Sequence, residues 1–187
     1  TVWEEIGWDG SRAEVHRLES LGTDLAQYVV ERRMLASHDG VLVPVDLARH
    51  VSTPLDGTAP CLLYGYGSYE APCDPDWFET GFRALPSLLD RGVVLAVGHP
   101  RGGGEMGRRW WDDGHLATKQ NTFADQAAVA EALLDGLVSR IVTRGLSAGG
   151  LLQGALYSQR PELFAGVVAE VPFVDVITTM LDASLPL

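Results

Sequence analysis

A chain of 187 residues with 46% hydrophobic and 21% charged residues is long enough for one domain that buries roughly 70% of its unfolded surface, and its composition is globular rather than disordered. No apolar run approaches the ~20 residues a bilayer span needs, the opening TVWEEIGWDG has no signal-peptide succession, and a formal net charge of −11 repels nucleic acid and acidic lipid surfaces. Two cysteines, Cys61 and Cys73, make neither a disulfide framework nor a metal spacing, so the chain reads as a soluble cytoplasmic protein with no metal, no cofactor, no nucleic-acid partner and no membrane partner.

In chain order, residues 1 to 35, with Trp3, Trp8 and mixed charges, read as a lead-in from another unit. Five short runs then read as strands because they are rich in Val, Leu or Ile and bounded by Gly, Pro or Asp: VLVPVDL (41–47), CLLYGY (61–66), VVLAVG (93–98), RIVTRGL (140–146) and GVVAEV (166–171). Between them WFETGFRALPSLLDRG (77–92) and NTFADQAAVAEALLDGL (121–137) have helical spacing, the second with Val129, Leu133 and Leu137 four residues apart; a further helix is expected to open just after Ser147. Strands alternating with helices predict an α/β fold, a mostly parallel sheet covered on both faces.

Ser147 sits in GLSAG, between Gly145 and Gly149, after an expected strand and before an expected helix. A G-x-S-x-G in that context is the nucleophile elbow, a turn so tight that the positions two before and two after the serine cannot carry bulky side chains. The alternative is a glycine-rich turn whose serine is idle or merely caps the helix. An acyl-transfer site also needs donors aimed at the developing oxyanion. One would be the backbone N–H of Ala148, the residue after the nucleophile; the second could be Tyr66, at the end of a buried strand and flanked by Gly65 and Gly67.

GGGEMG (102–107) formally satisfies a dinucleotide-binding G-x-G-x-x-G. Glu105 would place a negative charge beside the pyrophosphate, and RRWWDDGH behind it does not read as a packing helix. NAD binding is therefore set aside, and Glu105 is expected instead to hold Arg101, Arg108 or Arg109.

Taken together, LYGYGSY, LLDRGVVLAVGHPRGGGEMGRRWWDDG, KQNTF, GLSAGGLLQGA and QRPELFAGVVAEVPFVDVITTMLD resemble, in this order, the catalytic domain of the oligopeptidase B branch of the prolyl oligopeptidase family of serine peptidases. The resemblance runs from about residue 28 onward. It implies an α/β-hydrolase domain that cuts short peptides after Arg or Lys, with Ser147 as nucleophile and Tyr66 and the Ala148 amide as oxyanion hole. It also implies that Asp74 and Asp76 of CDPD hold the basic residue that precedes the cleavage residue, a pairing that two carboxylates and a guanidinium can make. Glu70 departs from the family pattern, which has a small residue there.

The family's triad order is Ser, Asp, His. His16, His38, His50, His99 and His115 all precede Ser147, and neither Asp175 nor Asp182 matches the catalytic aspartate motif. The resemblance places the catalytic Asp and His beyond residue 187 and reads residues 36–187 as the front half of a hydrolase domain, C-terminally incomplete, with residues 1–35 the exit from a β-propeller. A triad without its base loses about 10⁶ in turnover, so the chain alone is expected to be inactive, with a separate chain as a possible partner that completes it. Two other readings share some of these residues: an esterase-type acyl hydrolase, which uses Ser147 and Tyr66 but not the two aspartates, and a non-catalytic remnant serving as an interaction module.

Overall fold

A computed structural model of the chain describes residues 2–17, 24–73 and 85–185. All five expected strands form, as β4 (Leu42–His50), β5 (Pro60–Tyr64), β6 (Val94–Gly98), β7 (Arg140–Leu146) and β8 (Gly166–Glu170). Three more precede them. β1 (Val2–Ile6) and β2 (Arg12–Arg17) pair antiparallel as a separate two-stranded sheet, and β3 (Tyr28–Ala36) pairs along its whole length with β4, from Tyr28 opposite His50 to Ala36 opposite Leu42. Residues 28–35, read from sequence as lead-in, thus lie in an edge strand of the main sheet. The alternation of β3 is hard to read because it is inverted: Val30 and Met34 are exposed, at 65% and 43%, while the half-buried face carries Glu31 and Arg33, an ion pair at 2.7 Å.

The main sheet has the order β3-β4-β6-β5-β7-β8. β5 is parallel to both β6 and β7, and β7 to β8, whereas β4 runs antiparallel to β3 and β6. A mostly parallel sheet needs both faces covered. α3 (Gln120–Leu134) and α4 (Ala148–Gln159) cover one face, where Val45, Leu63, Ala96 and Ile141 of the sheet meet Phe123, Val129 and Leu133 of α3 and Leu152 and Leu156 of α4. α1 (Leu85–Leu89) packs on the other, its Leu89 clustered with Leu95 and Val97. Residues of β6 alternate between the two clusters, Val94 and Ala96 to one and Leu95 and Val97 to the other, as a strand's two-residue period requires. α5 (Val176–Leu181) follows β8. Among the described residues no helix is long and apolar enough to cross a membrane.

Two expectations about local structure shift. The expected strand at residues 61–66 ends at Tyr64, so Tyr66 sits in the loop two residues past it. RRWWDDGH, read as no packing helix, contains a one-turn helix, α2 (Arg108–Asp112), whose Trp110 is buried and donates its indole N–H to the His99 carbonyl at 3.1 Å. A helix that short, after a loop bearing Glu105, still makes no dinucleotide site.

The loop between β6 and α2 is anchored by a buried ion pair. Arg101 is 4% exposed and Asp125, on α3, is fully buried. The Arg101 backbone N–H and Nε donate to Asp125 Oδ2 at 2.9 and 2.8 Å, and Nη2 donates to Oδ1 at 2.6 Å. Asp39 takes Nη1 at 2.7 Å, and the Ser37 hydroxyl donates to Asp125 Oδ1. A guanidinium held in this bidentate way is satisfied on all sides, the condition under which a buried pair is tolerated. His38, Asp39 and Asp125 are close enough together to suggest a metal site, but both carboxylates are already engaged by Arg101.

Candidate active site

Ser147 joins β7 to α4 with φ 56° and ψ −114°, a backbone conformation that non-glycine residues adopt only under constraint. The constraint is visible on both sides. A Cβ on Gly145 would run into the Gly149 carbonyl, and one on Gly149 would lie 2.8 Å from the Gly65 carbonyl oxygen and 3.3 Å from the Tyr66 ring. Strand and helix therefore touch backbone to backbone, and the turn between them is pinned further by Ser147 N–H donating to the Glu170 carbonyl at 2.9 Å and Phe173 N–H donating to the Ser147 carbonyl at 3.0 Å.

The serine stands at the N-cap position of α4, yet its side chain makes no capping hydrogen bond. The serine therefore does not serve as a helix cap, because a capping serine would give its oxygen to one of the helix's first N–H groups. The next residue, Ala148, is buried and is the first of α4, so its N–H has no carbonyl partner within the helix. Among the described residues no acceptor outside the helix takes it either, which leaves it a donor beside the serine.

Tyr66 reaches the same place from the neighbouring strand. β5 lies beside β7 in parallel, with Tyr64 opposite Arg144, so their C-terminal ends emerge side by side. The close fit of Gly149 against Gly65 and Tyr66 sets the tyrosine against the first turn of α4. Its ring is half-buried, its hydroxyl makes no hydrogen bond among the described residues, and burial raises its pKa, with Tyr69 and Cys73 adding to the effect. The phenol is thus kept as an O–H donor. The structure brings Ser147, Ala148 and Tyr66 together; Asp74 and Asp76 lie outside the described residues. No histidine hydrogen-bonds the Ser147 hydroxyl among the described residues.

Two groups whose contacts the sequence did not reveal support the loops of the site. Glu105, expected to hold an arginine, instead accepts the Cys73 backbone N–H at 2.8 Å and faces His99 Nδ1 at 3.2 Å. Arg101 belongs to Asp125 and Asp39, and Arg108 to Glu70 and Asp112. His99, fully buried, is held on its other side by Asp46 at 2.9 Å, which also takes the two-pronged grip of Arg32 at 2.6 and 2.7 Å. Burial alone would lower the His99 pKa, but its hydrogen bonds to the Glu105 and Asp46 carboxylates, together with their negative charge, outweigh burial and raise it. The chain Arg32–Asp46–His99–Glu105 ends on Cys73, the residue just before Asp74. The second group is Lys119, whose ammonium donates to the Gly67 carbonyl at 2.5 Å and the Ser68 hydroxyl at 2.8 Å. KQNTF was legible as a motif, but nothing in it announces a contact with a loop fifty residues earlier.

A family model described as the prolyl oligopeptidase family matches residues 80–187, more than half of the chain and including the Ser147 elbow. The chain belongs to the prolyl oligopeptidase family. It is 45% identical over 191 residues to dipeptidyl aminopeptidase BI of Pseudoxanthomonas mexicana, covering 100% of this chain and 26% of that relative. Among solved structures, oligopeptidase B from Leishmania major superposes with a TM-score of 0.89 at 42% identity, over 99% of this chain and 26% of that one. Oligopeptidase B from Trypanosoma brucei with covalently bound antipain, in a closed form, gives 0.88 at 44%, again over 99% and 26%. The fold is accordingly that of an α/β-hydrolase domain, and the chain spans about a quarter of the length of these relatives.

The Gly145 contact yields a direct test. Gly145→Ala puts a methyl group into the Gly149 backbone, which no side-chain rotation can relieve, so it should destabilise the protein by about 1–3 kcal/mol in a denaturant titration. A midpoint equal to wild type would mean that the strand and helix are not in the contact described.

Proposed function

We propose that the full-length protein containing this chain is a serine peptidase of oligopeptidase B type that hydrolyses short peptides after Arg or Lys, with Ser147 as nucleophile. The observation that carries this reading is the Ser147 turn itself: a strained backbone, held by glycine contacts, that leaves the hydroxyl uncapped beside two free donors. Family membership supports it, as does the covalently bound antipain of the Trypanosoma brucei structure.

In this mechanism the Ser147 Oγ attacks the scissile carbonyl while a histidine base, outside the described residues, takes its proton. The carbonyl oxygen becomes an oxyanion that accepts hydrogen bonds from the Tyr66 hydroxyl and the Ala148 N–H, both fixed before the reaction begins; a donor of this kind contributes about 10²–10³ in kcat. The tetrahedral intermediate then collapses, the amine leaves with the proton from the base, and water repeats the sequence on the acyl-enzyme. Asp74 and Asp76 follow Cys73, whose backbone is tied to Glu105. They are the proposed acceptors for the basic residue that precedes the cleavage residue.

Labelling tests the nucleophile. A fluorophosphonate probe on the full-length protein should modify the peptide that contains Ser147, and Ser147→Ala should abolish the adduct; an adduct that persists in that variant removes Ser147 from the role.

Substrate choice separates the peptidase from an esterase. Charge-assisted pairs of the kind proposed contribute about 1.5–3 kcal/mol. Asp74→Asn with Asp76→Asn should therefore raise KM at least ~10-fold for a dibasic peptide and barely alter it for one with an apolar residue before the cleavage arginine. Steady-state kinetics at one low ionic strength decides. Equal weakening of both substrates reduces the aspartates to a general negative field, and no change in either removes them from substrate recognition.

A further inference from the structure

We propose that Lys119 is a positioning residue for the peptidase reaction: its ammonium clamps the Gly67 carbonyl and the Ser68 hydroxyl, and so fixes the turn from which Tyr66 points at the oxyanion. The inference rests on the serine-peptidase reading above and extends it to a side chain that touches neither substrate nor nucleophile.

Lys119 is poorly suited to where it stands unless something there requires it. It occupies the N-cap position of α3, makes no side-chain capping bond, and brings a positive charge to the positive end of a helix dipole. It is also half-buried, and that burial pushes its pKa down to about 8. No carboxylate pairs with it among the described residues. Its two hydrogen-bond partners are neutral, the Gly67 carbonyl and the Ser68 hydroxyl, with the Phe123 ring 5.9 Å away. An ammonium that accepts an unfavourable dipole and desolvation without a counter-ion is explained by what its donors hold.

What they hold is the peptide just after Tyr66. Gly67 has φ 64° and no free space around it: a Cβ there would meet the Thr122 methyl at 2.5 Å and Pro100 at 2.9 Å. Its carbonyl oxygen is so close to Gly102 that a Cβ on Gly102 would collide with it. The glycine-rich loop thus presses on the Gly67 carbonyl from one side and Lys119 grips it from the other. The same segment is tied at its two ends, by Gly65 N–H to the Arg144 carbonyl at 3.4 Å and by Glu70 N–H to the Gly102 carbonyl at 3.2 Å. Removing the Lys119 donors would leave the Gly67 carbonyl pressed by the glycine-rich loop with nothing gripping it from the other side, so the peptide would shift away from the loop and the Tyr66 hydroxyl would lose its aim. A donor out of line by a fraction of an ångström weakens the transition state more than substrate binding.

The test is a double-mutant cycle on the full-length peptidase with a dibasic peptide substrate: wild type, Lys119→Met, Tyr66→Phe and the double variant, with Ser147→Ala as control. Lys119→Met keeps the aliphatic stem and should lower kcat at least ~10-fold while KM stays within about 2-fold. In the Tyr66→Phe background the same change should cost no more than about 2-fold, because the hydroxyl it aims is already gone. Losses that multiply in the double variant, a KM that rises as much as kcat falls, or an unchanged kcat each overturn the proposal. Should Lys119→Met fail to fold, Lys119→Gln, which keeps one donor, runs the same cycle with a smaller kcat loss and the same dependence on Tyr66; an unaltered kcat or independent losses there are equally fatal. Turnover retained by Ser147→Ala would instead bring down the peptidase reading, whereas an inactive Ser147→Ala beside a fully active Lys119→Met rejects only the role of Lys119.

Discussion

The contact on which the site depends is the one between Gly145 and Gly149, where β7 and α4 meet without side chains between them. A parallel strand feeding a helix normally turns through a loop that keeps the two backbones apart. Here the turn is a single residue, Ser147, and the geometry leaves it only a positive φ. That conformation costs of order 1–3 kcal/mol, and the sheet and the Glu170–Phe173 segment hold it in place. Its effect is to keep the serine hydroxyl from doing what a serine at a helix start ordinarily does. A side chain withheld from its local partner, next to a helix N–H withheld from any partner, is the arrangement that acyl transfer requires.

The second half of the site is built by close approach as well. Two glycines of the loop after β6, Gly102 and Gly104, are packing glycines. Gly102 is pressed by the Gly67 carbonyl and Gly104 by the Glu70 carbonyl, so the segment carrying Tyr66 lies directly on the loop. The loop in turn is fastened to α3 by Arg101 and Asp125, and to the sheet by His99 between Asp46 and Glu105. The charged groups form two linked chains, Arg101 with Asp125 and Asp39 on the glycine-rich loop, and Arg32, Asp46, His99 and Glu105 reaching Cys73. Both loops are therefore held by a buried ionic device set in the sheet or α3. Sites on loops gain precision this way.

The parallel core was legible in the sequence because β5 to β8 are short runs of branched residues between turn residues. Ser147 and the Ala148 amide followed from a G-x-S-x-G after such a run, whereas Tyr66 was one candidate donor until the resemblance to the prolyl oligopeptidase family singled it out. β3 was not legible, since its half-buried face carries Glu31 and Arg33 and its outer face carries Val30 and Met34, against the rule that polarity follows exposure. The purpose of the glycine-rich loop could not be read, because a glycine required by a neighbour's carbonyl looks the same in sequence as one required by a phosphate. Glu105 was assigned the wrong partner for a similar reason. Arg101 and Arg108 are its neighbours in sequence, whereas His99 and the Cys73 amide are its neighbours in space, and only the folded sheet brings them together. Lys119 was invisible for the same cause, its acceptors lying more than fifty residues away.

The account stands or falls on where the reacting oxygen goes. A crystal structure of the full-length protein soaked with a peptide aldehyde ending in arginine measures this directly. The structure described here predicts a covalent bond from Ser147 Oγ to the aldehyde carbon, with the resulting oxygen within about 2.7–3.1 Å of both the Tyr66 hydroxyl and the Ala148 nitrogen. An adduct whose oxygen turns away from both donors, or an aldehyde bonded to any other residue, would contradict it.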